Sequence, residues 1–139
     1  MIIADTGFFI ALFNANDEHH QRAIKVLNNL AEPLITTQPV ITETCYLLVS
    51  RGGGISQECQ FLIDIAESAF FIFELQNFHF QRMAKLIKQY ENLPMDYADA
   101  SLVVLAEYLK HGRILTTDRR DFSIYRWQET KTFENLLFS

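Results

Sequence analysis

The sequence predicts an α/β fold in which a parallel sheet of four to five strands is covered by helices on both faces. Short apolar runs alternate with longer segments in which apolar residues recur at helical spacing. Strands that are separated by helices pair in parallel through right-handed crossovers. The 139 residues have the length of a single domain, 1–139, and 49% of them are hydrophobic, which is enough for a packed core.

Charge and cysteine content narrow the class of protein. With 12 basic and 17 acidic residues, the chain carries a formal net charge of −5, which argues against a broad basic surface for nucleic acid. Cys45 and Cys59 lack the spacing of a metal site, and two such thiols are typical of a protein in a reducing compartment. A disulfide between them is the alternative. The apolar start is interrupted by Asp5 and has no basic flank, so it does not have the pattern of a signal peptide. No run approaches the ~20 apolar residues of a membrane span. We therefore expect a cytoplasmic protein without membrane association.

The first part of the chain predicts two strands and three helices. Branched apolar runs favour the strands, and apolar residues repeated every three or four positions favour the helices. The side-chain oxygens of Asp5 and Thr6 can cap the helix that follows them, and Pro39 suits the first turn of another helix. The predicted strands are 2–4 and 34–37, and the predicted helices are 6–13, 18–30 and 39–49.

The second part predicts further strands and three helices. Ser56 and Asn77 can each cap a helix. Asp96 and Asp99 have capping-box spacing at the start of the most apolar helix, and this is a purely structural explanation for both acids. The residues after Asp118 are expected to form a charged loop. The predicted strands are 70–75, 113–117 and a short last one at 131–133; the helices are 56–68, 78–90 and one that opens within 94–100 and ends at 109; a terminal turn covers 134–138.

Topology places five acidic residues at one edge of this sheet. Asp5 and Asp118 follow strands, Glu43 lies early in the helix after the second strand, and Asp96 and Asp99 open a helix. The carboxyl ends of parallel strands and the starts of the following helices share one edge, and ligands bind there. Each acid alone could be a helix cap or a solvated side chain. Their convergence instead predicts a site.

Converging carboxylates need a partner of opposite charge. Two like charges ~4 Å apart repel by about 4 kcal/mol at the effective dielectric of a protein surface. Among these acids only Arg119 and Arg120 are interleaved in the sequence. With oxygen ligands only and no Cys/His set, the expected ion is Mg²⁺ or Mn²⁺. Such an ion suits phosphodiester hydrolysis.

Four segments, in this order and spacing, resemble the PIN-domain nucleases. They are Asp5-Thr6, Glu43, the run Pro-Met-Asp-Tyr-Ala-Asp-Ala at 94–100, and the run Thr-Thr-Asp-Arg-Arg-Asp-Phe at 116–122. The resemblance covers nearly the whole chain and is strongest to the VapC-type toxin ribonucleases of prokaryotic toxin–antitoxin systems and their stand-alone relatives. It implies a three-layer α/β/α fold with sheet order 3-2-1-4-5 and an endoribonuclease that depends on Mg²⁺ or Mn²⁺.

The resemblance also implies roles for particular residues. The catalytic and metal-holding quartet falls on Asp5, Glu43, Asp99 and Asp118, with Thr6, Asp96 and Thr117 in supporting positions. Because the net charge is acidic, RNA contacts are expected from a few basic residues, namely Arg51, Arg119 and Arg120.

The resemblance implies partners as well: an RNA substrate, an antitoxin protein and a second copy in a symmetric homodimer. The Phe8-Phe9 and Phe70-Phe71 pairs favour self-association, because adjacent side chains are not expected to face inward together. The main alternative is a PIN-like module that binds RNA or protein without cutting, which the complete quartet disfavours. A further alternative is a haloacid-dehalogenase-like phosphatase, which also has an acid after its first strand. That family needs a second acid two residues later, where this chain has Gly7, so this alternative is disfavoured.

Overall fold

The computed structural model describes residues 1–139 and contains a five-stranded parallel sheet with helices on both faces. The strands are Ile2–Ala4 (β1), Leu34–Thr37 (β2), Phe70–Phe73 (β3), Arg113–Leu115 (β4), Arg126–Trp127 (β5), Lys131–Thr132 (β6) and Glu134–Asn135 (β7). The helices are Thr6–Phe13 (α1), His20–Asn29 (α2), Gln38–Ser50 (α3), Ile55–Ala66 (α4), Asn77–Gln89 (α5), Tyr97–Leu109 (α6) and Arg119–Ile124 (α7). The sheet has the order β3-β2-β1-β4-β7, and β5 and β6 form a separate antiparallel pair.

β1 lies at the centre of the sheet and is covered on both faces. Ile3 pairs with Ile35 of β2 on one side and with Ile114 of β4 on the other. All three β1 residues are at most 1% exposed, as expected for a continuous apolar strand in a parallel sheet. The residue that follows β1 therefore emerges in the middle of the carboxyl edge of the sheet.

α6 has more buried residues than any other helix and positions one wall of that edge. Eight of its 13 residues are buried, because its sequence is apolar around nearly its whole circumference. The hydroxyl groups of Thr37 at the end of β2 and Ser101 of α6 are hydrogen bonded at 2.7 Å. This bond fixes the start of α6 beside the carboxyl end of β2. Neither α6 nor any other helix is long and apolar enough to cross a membrane.

The predicted three-layer fold and strand order are confirmed, with two local corrections near the C-terminus. The fifth strand of the sheet is Glu134–Asn135 rather than 131–133, because Lys131–Thr132 pairs with Arg126–Trp127 instead. The predicted charged loop after Asp118 is a short helix. It forms because the Asp118 carboxylate accepts a hydrogen bond from the Asp121 amide at 3.0 Å and so caps it.

The expectation that adjacent phenylalanines do not face inward together holds for Phe70-Phe71 and is wrong for Phe8-Phe9. Phe8 and Phe9 are both fully buried, since α1 is enclosed by the sheet and by neighbouring helices. The Phe9 ring packs against the rings of Phe61 and Phe70, with centroids 5.1 Å and 5.0 Å apart. Of the four rings only Phe71 is exposed. The cysteines are both free thiols.

Candidate active site

A cavity of about 480 Å³ lies at the carboxyl edge of the sheet, and all four residues of the predicted quartet line it. We call it the acidic cavity. Arg51 is the one arginine or lysine in its lining. A slightly larger cavity, of about 540 Å³, lies between α2 and the C-terminal segment, but no acidic side chain lines it. Eight acidic side chains line the acidic cavity: Asp5, Asp17, Glu18, Glu43, Asp96, Asp99, Asp118 and Asp121.

Asp5 is the most deeply buried acid of the cavity, being only 6% exposed. It caps α1, since its Oδ1 accepts a hydrogen bond from the Thr6 amide at 2.7 Å. Its Oδ2 accepts a second from the Thr116 hydroxyl, also at 2.7 Å. Burial, with a smaller contribution from the negative charges of Glu43 and Asp118, outweighs the two hydrogen bonds and raises the pKa of Asp5 from 3.8 to about 6. Asp5 therefore both caps α1 and lines the cavity.

Thr116 links two acids of the quartet and was not identified from the sequence. Its buried hydroxyl donates to Asp5 and accepts from the Asp118 amide at 2.9 Å. The Asn135 side chain, on the fifth strand, donates to the Thr116 carbonyl at 2.9 Å. The neighbouring Thr117, which the resemblance gave as a supporting residue, also lines the cavity. A Cβ on Gly7 would lie 1.9 Å from the Thr117 hydroxyl oxygen, so this close approach requires glycine.

Asp96 and Asp99 form the predicted capping box at the start of α6. The Asp96 carboxylate accepts from the Asp99 amide at 2.8 Å, and the Asp99 carboxylate accepts from the Asp96 amide at 3.4 Å. The Tyr125 hydroxyl also donates to Asp99, at 3.1 Å. Burial, together with the negative charges of Asp5 and Asp96, raises the pKa of Asp99 to about 8. Capping thus leaves the Asp99 carboxylate facing other acids in the cavity.

Glu43 and Asp118 complete the predicted quartet. Glu43 lies in the second turn of α3 and accepts no hydrogen bond from the protein, which leaves both of its oxygens available to a ligand. Asp118 is the cap of α7, and burial raises its pKa as well. Both side chains line the cavity together with Asp5, and the negative charge of each raises the pKa of Asp5.

The three basic residues expected to contact RNA differ in position. Arg51 ends α3, is exposed and lines the acidic cavity without forming an ion pair. Arg119 and Arg120 lie outside the lining. The Arg119 guanidinium is 4.3 Å from the centroid of the Phe138 ring, which holds it against the C-terminal segment. Arg51 is therefore the basic residue of the cavity lining, whereas the positive charge of Arg120 acts on the quartet from outside it and lowers the pKa of Asp118 against the effect of burial.

Three further lining residues come from the connection between α1 and α2. Asp17, Glu18 and His19 close one side of the cavity. The ring of His19 is partly buried and packs against the ring of Phe138, with centroids 5.3 Å apart. Their positions depend on how α2 folds back over α1, which no local pattern specifies.

The donor chemistry of the acidic cavity fits a hard divalent cation. Carboxylate oxygens dominate its lining, and the buried Thr6 hydroxyl oxygen has no hydrogen-bond partner. No three His, Cys, Asp or Glu side chains are arranged as the direct ligand set of one ion. Mg²⁺ commonly uses one or two carboxylates and keeps several of its waters. The acidic cavity, at about 480 Å³, has room for an ion that keeps such waters.

Fold and cavity together define the class of protein. It is an α/β protein with an open parallel sheet, whose candidate ligand site lies at the carboxyl edge of the strands and is lined by carboxylates. A sequence model of the PIN domain matches residues 2–127, and the chain belongs to this family.

Two VapC proteins of Mycobacterium tuberculosis are similar to the chain. It is 30% identical to ribonuclease VapC26 over 125 residues, which are 90% of this chain and 92% of that protein. Its fold matches the crystal structure of VapC20, described as a Sarcin-Ricin loop cleaving toxin, with a TM-score of 0.79 and 18% identity. That match covers 86% of this chain and 92% of the VapC20 chain. The resemblance to VapC-type PIN domains is thereby confirmed.

Proposed function

We propose that this protein is a Mg²⁺- or Mn²⁺-dependent endoribonuclease, the toxin of a type II toxin–antitoxin pair, and that residues 1–139 act as one unit. One observation carries the proposal: Asp5, Glu43, Asp99 and Asp118 come from four separate segments and line the same cavity. Membership of the PIN domain family and similarity to ribonuclease VapC26 support the same reaction class.

The quartet would hold the metal, with the Thr6 hydroxyl and Asp96 beside it. When bound, the ion supplies a polarised water and charge neutralisation for phosphodiester hydrolysis. Asp5 is fixed by two hydrogen bonds, so its carboxylate is pre-positioned. Glu43, without such bonds, is free to orient a water or accept its proton. Tyr125 keeps the Asp99 carboxylate in place by donating to it.

Substrate contact would depend on few basic groups. Arg51 lies at the rim of the acidic cavity and forms no ion pair, so its guanidinium is free to bind an RNA phosphate next to the one that is cut. Arg119 and Arg120 lie on the adjacent α7 and can contact more distant phosphates. We place this activity in the cytoplasm, with an antitoxin protein as the partner that blocks the cavity and a homodimer as the assembly.

A PIN-like module that binds without cutting remains the second candidate. It would have no need for four acids in one cavity, where burial and then the charges of neighbouring acids raise the pKa of Asp5 and Asp99. Thr6, which also lines the cavity, has a buried hydroxyl oxygen without a hydrogen-bond partner, and this oxygen is available to a ligand or to a metal-bound water. We therefore favour the enzyme.

The proposal is tested by cleavage of mixed single-stranded RNA in the presence of Mg²⁺, Mn²⁺ or EDTA. We expect cleavage with either metal and none in EDTA, and Asp118→Asn should remove it. Asp64→Asn is the matched control, since Asp64 is the one aspartate outside the acidic cavity. Equal cleavage by wild type in EDTA would contradict metal dependence. A folded wild type that binds RNA but never cuts it would favour the binding module.

A further inference from the structure

A second cleft opens beside the acidic cavity and carries two exposed tyrosines. Its volume is about 450 Å³. Tyr46 is 70% exposed and Tyr97 is 46% exposed. The rest of the lining combines two small apolar residues with three polar or acidic ones: Pro39, Ala98, Thr42, Glu43 and Asp96. We call it the tyrosine cleft.

The tyrosine cleft is continuous with the acidic cavity because the two share walls. Glu43 and Asp96 line both. Tyr46 lies three residues after Glu43 on α3, so the two side chains share one helix face. Tyr97 directly follows Asp96 at the start of α6. A ligand group that leaves the acids along these two helices therefore meets both tyrosines.

The electrostatics of the site call for a contact that does not depend on charge. Eight acids and a single arginine line the acidic cavity, and the whole chain has a net charge of −5. Phosphates are repelled by such a surface until a cation is bound. Single-stranded RNA, however, also presents flat base faces, which stack on aromatic side chains independently of salt bridges.

We propose that the tyrosine cleft is a nucleobase subsite, in which Tyr46 and Tyr97 stack on a base of single-stranded RNA next to the phosphate held at the acidic cavity. This inference rests on the proposed ribonuclease function for the position of that phosphate. The Tyr97 ring is supported from behind by Phe80, with centroids 6.1 Å apart and planes 34° apart. A supported ring loses little freedom when a base stacks on it.

Another exposed apolar surface is a poorer match for RNA. It follows the edge strand β3 and includes Phe71, Ile72 and Phe78 with Tyr108. It shares no residue with the acidic cavity. A base bound there could not belong to a nucleotide at the quartet, whereas a base in the tyrosine cleft can.

The test measures RNA affinity by fluorescence anisotropy in Mn²⁺, in the Asp118→Asn background so that the RNA stays intact. The probes are a short oligouridylate and the same ribose–phosphate chain without bases. We expect Tyr97→Ala and Tyr46→Ala each to weaken oligouridylate binding about five- to tenfold. Tyr97→Phe should stay near the parent affinity, since phenylalanine also stacks. Tyr108→Ala, an exposed tyrosine outside the cleft, is the matched control and should have no effect.

The base-free chain decides whether the tyrosines contact bases. It should bind the parent protein more weakly than oligouridylate, and Tyr97→Ala should weaken it no further. Equal losses for both probes, or parent-like oligouridylate affinity in both alanine variants, would overturn the subsite. So would a change from dimer to monomer in light scattering with RNA affinity unchanged, since the tyrosines would then contact a second copy. Cleavage is measured separately, with Asp118 intact. If that protein does not cut RNA but its binding still depends on the tyrosines, the proposed function is contradicted and the nucleobase subsite is not.

Discussion

Asp5→Asn should stabilise the metal-free protein at high pH, although it removes a proposed metal ligand. Asparagine is about as good a helix cap as aspartate, so its side-chain oxygen can still accept from the Thr6 amide. Its amide nitrogen can donate to the Thr116 hydroxyl oxygen, which has lone pairs for this bond and for the Asp118 amide. The variant therefore changes one charge and preserves the local contacts.

The magnitude follows from the burial of Asp5. Burial and, to a smaller extent, the charges of Glu43 and Asp118 raise the pKa of Asp5 from 3.8 to about 6. One unit of pKa corresponds to about 1.4 kcal/mol, so ionising the buried side chain costs about 3 kcal/mol. Because the folded pKa lies above the unfolded one, this contribution to stability is present below about pH 4 and is lost as the pH rises through about 6. Wild type should lose it and Asp5→Asn should not.

Urea unfolding in EDTA at about pH 4.5 and about pH 8 measures this difference. We expect Asp5→Asn to exceed wild type by up to about 3 kcal/mol in unfolding free energy at about pH 8, and by much less at about pH 4.5. Asp64→Asn, outside the cavity, should show no such pH dependence. If Asp5→Asn is no more stable than wild type at about pH 8, then the ionised Asp5 side chain does not destabilise the metal-free fold, and the reasoning is refuted.

Three further predictions address the same site. Mn²⁺ at a hundredfold excess over its dissociation constant should stabilise wild type by about 2.7 kcal/mol and so raise its melting temperature. Asp99→Asn should reduce this rise. A melting temperature that calorimetry finds unchanged by Mn²⁺ would contradict the metal site. Thr116→Val should lower stability by about 1–3 kcal/mol and reduce cleavage, because it leaves Asp5 and the Asp118 amide without their shared partner; unchanged activity would show that this link is dispensable. Glu43→Gln should abolish cleavage, and combining it with Asp118→Asn should cost little more; additive losses in single-turnover rates would show that the two acids act independently.

The convergence of the acids could be predicted because it depends on element order. Once apolar runs alternate with helices, parallel pairing sends Asp5 and Asp118 to one edge, and the helix that follows β2 brings Glu43 to it. The capping box of Asp96 and Asp99 was visible from spacing alone, since a cap depends only on neighbouring residues.

The rest depended on contacts between distant segments. Thr116 is one of two adjacent threonines, and only the strand's twist decides which hydroxyl reaches Asp5. Tyr125 donates to Asp99 across 26 positions, and nothing near Tyr125 in the sequence indicates this. The two-residue strands at the C-terminus are set by their partners rather than by an apolar period. Phe8 and Phe9 are both buried because α1 is enclosed on several sides, which a surface-helix pattern does not anticipate.

The central claim is that the acids of the cavity cut RNA rather than only cap helices. The most direct measurement is the rate at which purified Asp5→Asn cleaves single-stranded RNA in Mn²⁺, beside wild type and Asp64→Asn, with circular dichroism verifying that all three are folded. We predict that Asp5→Asn keeps the fold and loses cleavage, while Asp64→Asn cleaves like wild type. Cleavage by Asp5→Asn at the wild-type rate, in a preparation free of contaminating nuclease, would contradict the catalytic role and leave Asp5 as a helix cap.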